Sequence, residues 1–188
     1  MLGVGICIPE STLSSALSQI DYLTKNGAQC PEKEISDILA IVSLDPFLLE
    51  GFNLEFSRER YVRHHIYSGI NYSFLAIVWL PMQTSPVHSH KTWCAFSIFE
   101  GCLTETLYCQ DEIGTDLLSE KHLFRGHVSH SPYEKPVAHR LKNNGVKPAI
   151  SLHVYGVPFD RLGTDVNCIW NESASHMTAA SYSLRSGG

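Results

Sequence analysis

The hydrophobic period of this chain changes once, near Tyr61, and that change restricts the possible folds more than any other feature. Before it, apolar residues recur at helical spacing. Leu13, Ala16, Leu17, Ile20 and Leu23 follow the capping pair Ser11-Thr12, and the pattern stops near Asn26-Gly27. Pro31-Glu32-Lys33-Glu34 opens a second helical segment with Ile35, Ile38, Leu39 and Val42, and Asp45-Pro46 marks a short turn. After Tyr61 the period is two. Phe74 to Leu80 is a continuous β-prone run, as in a strand buried on both faces. Ala95 to Phe99 and Leu103 to Tyr108 flank Glu100-Gly101-Cys102 and predict a hairpin, and Ala149 to Tyr155 predicts a further strand. Short strands after a helical block predict a mainly β barrel or jelly roll with helices packed outside.

With 188 residues and no linker or repeat, a single domain over 1–188 is expected. Residues 1–50 form its helical part, and the Ser-, Ala- and Gly-rich stretch 171–188 forms a loose tail. The net charge of −5 comes without a basic stripe, which argues against nucleic acid or anionic membrane as the partner. The apolar start, Met1 to Ile8, lacks the basic residues of a secretory signal. The longest apolar run, Phe74 to Met82, is far short of the roughly 20 residues that span a bilayer. Six cysteines without CxxC spacing then read as free thiols of a cytoplasmic protein.

Ten histidines stand out against this background. His88 and His90 are one residue apart, so on a strand both imidazoles point to one face and can reach one metal ion. Pro86-Val87 precedes them, Trp93-Cys94 follows, and Gly101 comes after Cys94 with six residues between. This arrangement resembles the first motif of the cupin superfamily, with Cys94 where most cupins carry a glutamate ligand and Met82 in place of the usual glycine. His139 followed by Asn143 resembles the second cupin motif, with Pro136 where glycine is usual. Three neutral imidazoles leave a divalent metal doubly positive, with half of its octahedral positions open for an anionic thiolate and O2. His122, His127, His130 and His176 are expected in exposed loops, and His64 and His65 on a strand in hydrogen-bonded or surface roles.

Within the cupins the chain resembles the cysteine dioxygenase family, from about Tyr61 to Asp160. Tyr61-Val62-Arg63 is similar to a Tyr-x-Arg strand whose arginine receives the substrate carboxylate. His88-Ser89-His90 with Cys94, then His139-Arg140, and then Ser151-Leu152-His153-Val154-Tyr155 follow in the family's order, with Pro158-Phe159-Asp160 after them. Ser151, His153 and Tyr155 alternate along a strand, so they share a face and can hydrogen-bond in series. Tyr61, Arg63, His65 and Tyr67 likewise share a face, and an interior-facing Arg63 would need an anionic partner. Arg140 points to the opposite face from His139.

The resemblance implies one Fe(II) held by His88, His90 and His139. It implies catalytic roles for Tyr155, His153 and Ser151, substrate binding by Arg63 and Tyr61, and a Cys94–Tyr155 thioether as in animal enzymes. The expected reaction is oxidation of cysteine by O2 to its sulfinic acid, in a monomer or weak homo-oligomer. Some features depart from the animal pattern. The His90–Cys94 spacing is one residue shorter, as in bacterial relatives acting on 3-mercaptopropionate, and Gly156-Val157 replaces Ser-Pro. Those bacterial relatives, however, carry glutamine at the position of Arg63 and glycine at that of Cys94. The alternatives are therefore a 3-mercaptopropionate or other short thiol-acid dioxygenase, and a non-catalytic metal-binding cupin.

Overall fold

A computed structural model describes residues 11–25, 31–110, 115–131 and 137–170. Helices α1 (Thr12–Lys25) and α2 (Glu32–Val42) form where the helical spacing predicts them. Ser11 caps α1, its Oγ accepting the Ser14 backbone N–H at 3.1 Å. The predicted stop at Asn26-Gly27 and the tail 171–188 lie outside the described residues. The strands are β1 (Val62–Ser68), β2 (Ser73–Trp79), β3 (His88–His90), β4 (Cys94–Glu100), β5 (Cys102–Gln110), β6 (Thr115–Phe124), β7 (Val128–Ser131), β8 (Val137–Lys142), β9 (Ala149–Tyr155) and β10 (Asn167–Ile169). They make two antiparallel sheets of five strands, in the orders β1-β2-β9-β4-β7 and β10-β3-β8-β5-β6.

The sheets face each other. Ile77, Trp79, Phe96 and Ile98 of the first pack against Leu103, Leu123 and Leu141 of the second. The other face of the first sheet carries Phe74, Ala76, Ala95, Phe99, Leu152 and Val154, and the helices cover it with Ala16, Ile20, Ile35 and Leu39. That second cover explains why β2 is buried along its whole length. The expected mainly β jelly roll with outer helices is the architecture observed. No helix among the described residues is long and apolar enough to cross a membrane. Cys94, Cys102, Cys109 and Cys168 are free thiols.

Three local expectations are corrected. β4 and β5 do not form a hairpin, because β4 pairs with β7 and β9 while β5 pairs with β6 and β8. The chain turns a corner between the sheets at Gly101 (φ 73°), where a Cβ would lie 2.8 Å from the carbonyl oxygen of Pro148. Alternating inward residues on both strands look alike whether the strands pair or face one another. In β1 a bulge between His65 and Tyr67 breaks the common face. Arg63 and His65 align with the inward Ile77 and Leu75, while Tyr67 aligns with Phe74 and packs toward the helices. His122 and His130 are exposed as expected, but they stand on β6 and β7 and not in loops. His176 lies outside the described residues.

Candidate metal centre

β3 and β8 are neighbours, and their register sets His88 directly opposite His139. His90, two residues along β3, projects on the same side. One ligand atom from each of the three imidazoles lies within 4.8 Å of the other two. His88 is anchored by its Nδ1–H, which donates to the Pro86 carbonyl at 3.0 Å and so leaves Nε2 with a lone pair. Nε2 of His90 and Nε2 of His139 are buried without a hydrogen-bond partner. Buried polar atoms are normally satisfied, and two orphaned imidazole nitrogens beside a third fit a cation between them.

Electrostatics agree with that use. Burial lowers the pKa of His88 to about 3, with His139 adding to the effect. Burial also holds His90 well below the usual imidazole range, His139 and His88 reinforcing it. Both rings are therefore neutral at pH 7, the form that ligates metals. The residues present fit a divalent first-row metal, and imidazoles alone do not choose among iron, zinc, copper and nickel. A cavity of about 240 Å³ opens beside the cluster, lined in part by Cys94, Phe96, Glu105, Leu107 and Ser129. It suits a molecule of a few heavy atoms and not a large cofactor.

A second row of polar groups crosses the first sheet from β1 to β9. Arg63 Nη2 donates to Tyr61 Oη at 3.2 Å, and its guanidinium lies 5.2 Å from the centre of the Tyr61 ring. Tyr61 stacks on Trp79 with centroids 4.3 Å apart. Trp79 Nε1–H donates to Ser151 Oγ at 2.9 Å. Ser151 Oγ lies 2.8 Å from His153 Nε2, and His153 Nδ1 lies 3.2 Å from Tyr155 Oη. Both ring nitrogens of His153 thus have a partner, Ser151 on one side and Tyr155 on the other, and the indole N–H of Trp79 is satisfied by the Ser151 oxygen. Burial, with Cys94 nearby, raises Tyr155 well above the usual phenol range, so it keeps its proton. Burial holds His153 neutral as well.

Sequence reasoning thus names side chains that the fold brings together. Tyr155 meets His90 edge-on at 5.7 Å between ring centres, and Cys94 sits directly across from Tyr155 in the β4–β9 register. Burial and the nearby Glu105 carboxylate raise the Cys94 thiol well above its ordinary range. Arg63 differs from expectation. It stands at the open end of the inward row but is solvent-exposed, so its charge does not require a protein anion. Asn143 has a structural part, its Nδ2 donating to Trp79 and Lys147 carbonyls at 2.9 Å each. Three residues were missed: Trp79, Glu105 and Ser129. Glu105 carried a signal, being an acid on the otherwise apolar stripe Leu103-Glu105-Leu107.

Among solved structures the chain is similar to a Thermus thermophilus protein (18% identity, TM-score 0.45, covering 55% of this chain and 90% of that one). It is also similar to a Klebsiella pneumoniae protein with a double-stranded β-helix domain (17%, TM-score 0.47, 65% and 98%). Human cysteine dioxygenase type 1 is 24% identical over 139 residues, 71% of this chain and 69% of the human one, and the Pongo abelii protein matches equally. The family model described as cysteine dioxygenase type I matches residues 7–164, which reaches beyond the barrel motifs into the helical segment. With that match running over most of its length, the chain belongs to the cysteine dioxygenase type I family.

Proposed function

We propose that this protein is a cytoplasmic non-haem Fe(II) thiol dioxygenase that converts L-cysteine and O2 to cysteine sulfinic acid. The observation that carries the proposal is the cluster of three imidazoles with ligand atoms within 4.8 Å of one another, two of them with buried, orphaned Nε2 atoms, beside the Tyr155 ring that meets His90 edge-on. An iron ion held by His88, His90 and His139 supplies, when bound, positions for thiolate and O2 and the redox chemistry that carries both oxygens to sulfur.

The chain's own residues bind and orient. Arg63, solvent-exposed on β1 and without a carboxylate partner among the described residues, offers its planar fork to the substrate carboxylate. Tyr61 fixes the guanidinium from below through the hydroxyl contact and its ring. Tyr155, aimed by His153 and Ser151, donates a hydrogen bond to reacting oxygen. Cys94 and Tyr155, partners in the β4–β9 register, are the pair we assign to a thioether bond, whose formation removes two hydrogens and needs O2 as oxidant.

A specific feature favours cysteine over 3-mercaptopropionate. The guanidinium of Arg63 stands where bacterial 3-mercaptopropionate relatives carry glutamine, and only a guanidinium pairs bidentately with a carboxylate. The test is anaerobic reconstitution with Fe(II), followed by O2 uptake with cysteine, 3-mercaptopropionate and cysteamine. Uptake matched one to one by cysteine sulfinate is the expected result. Binding of thiols without turnover would make the protein a non-catalytic cupin instead.

In the same assay series, His88→Ala, His90→Ala and His139→Ala are each expected to lose most of the iron with the fold retained, and His122→Ala to keep it. Full iron occupancy in all three ligand variants, read by metal analysis, would remove the site assignment.

A further inference from the structure

The three imidazoles are not supported alike. His88 leans on a neutral backbone carbonyl, whereas His139 Nδ1–H donates to a carboxylate, Glu105 Oε1, at 2.9 Å. Glu105 is only 4% exposed and projects from β5 into the space between the sheets. A carboxylate in such a place costs a great deal unless its surroundings compensate. Ser129 Oγ, from β7 in the opposite sheet, donates to the same Oε1 at 3.1 Å and fixes its direction. The β5–β8 register puts Leu107 opposite His139 and Glu105 opposite Leu141, so Glu105 is the diagonal neighbour of His139 on the inward face. The acid, the serine and the ligand thus come from three strands and two sheets.

We propose that Glu105 is a positioning residue of the metal centre, holding His139 as the Nδ1–H tautomer and supplying the negative charge that a ligand carboxylate brings in most cupins. The inference rests on the metal site proposed above. A carboxylate oxygen only accepts, so Nδ1 of His139 carries a proton and the buried, unpartnered Nε2 is the atom left for a metal. Cys94 occupies the strand position of the usual cupin glutamate, and Glu105 lines the same cavity one imidazole farther from the ion. Placed there, the charge offsets part of the ion's +2 without covering a coordination position. The open positions stay available to substrate.

The test is Zn(II) binding to the metal-stripped full-length protein by chelator competition, with long-range proton–nitrogen NMR of its histidines. In the wild type, His139 is expected as the Nδ1–H tautomer before metal is added. Glu105→Gln keeps the size of the side chain but loses the charge, and Zn(II) affinity is expected to fall 10- to 100-fold, on the scale of such supporting contacts. Ser129→Ala, which leaves the carboxylate in place but unaimed, should weaken binding less. Affinity of Glu105→Gln within twofold of wild type, or an Nε2–H tautomer of His139 in the wild type, overturns the inference. The tautomer measurement needs no variant and decides the matter if Glu105→Gln does not fold. Wild-type protein that binds no Zn(II) would instead bring down the metal site itself.

Discussion

Arg63 carries a full charge yet lies in solvent, while Glu105 carries a carboxylate and lies buried; the two were legible to opposite degrees. Arg63 sits in a recognisable Tyr-x-Arg strand, so its place beside Tyr61 could be read, but its exposure could not, because exposure depends on what packs over β1. His88 and His90 were readable as a pair because spacing along one strand fixes a face, and His139 joins them through the β3–β8 register. Glu105 and Trp79 were not, since their partners come through strand registers that no local pattern records. Arg63→Ala is expected to lower kcat/KM for cysteine at least tenfold, about 1.4 kcal/mol or more, and to change cysteamine, which lacks the carboxylate, very little. Equal losses for both thiols would give Arg63 a structural role. The departure at Gly156 also has a local cause. A Cβ there would lie 2.4 Å from two atoms of the Trp93 ring and 2.6 Å from Thr92 Oγ1, so the serine of the animal enzymes would force these side chains to shift. Gly156→Ser is expected to cost about 1–3 kcal/mol in urea unfolding, and Trp93→Leu in the same chain to recover part of it. No loss of stability in the single variant would show that the ring moves aside freely.

Among elements, the helices and the long strands β2 and β9 were plain in the sequence, because each has a strong period or a sustained apolar run. β7 and β10, with four and three residues, are too short to show a period, and β6 mixes Leu117 and Leu118 with charged residues along an exposed edge. The corner before β3 shows a different kind of legibility. Met82, where cupins usually have glycine, keeps the left-handed backbone (φ 70°) that glycine adopts freely. Its N–H donates to the Asn143 carbonyl at 2.8 Å, so the turn is held in place while its side chain is 67% exposed. The left-handed conformation costs an L-residue about 1–2 kcal/mol, and the extra freedom of unfolded glycine takes back about half. Met82→Gly is therefore expected to stabilise the protein by about 0.5–1 kcal/mol in a urea titration. A destabilised variant would mean that the methionine side chain has packing value in this turn.

At the scale of the whole molecule, the uncharged histidine cluster ties stability to pH. His88, His90 and His153 have folded-state pKa values below those of the unfolded chain, that of His88 being about 3 against 6.5. Between those two values the unfolded chain binds protons that the folded one does not. Their full stabilisation is thus present above about pH 6.5 and is lost as pH falls toward 3. For His88 alone the loss at pH 5 is about 2 kcal/mol. Metal-free protein is expected to unfold at distinctly lower urea at pH 5 than at pH 7.5; midpoints that coincide would mean these rings are protonated in the fold. The order of the first sheet has another consequence, for how the molecule is made. β9, the last strand of this sheet in chain order among the described residues, lies between β2 and β4, which pair with it and not with each other. Until it arrives, both present bare hydrogen-bonding edges and apolar faces, and loop closure over such sequence distances is slow. The nascent chain therefore passes through a sticky stage before β9 emerges, and a product ending at Lys147 is expected to aggregate even though it contains His88, His90 and His139.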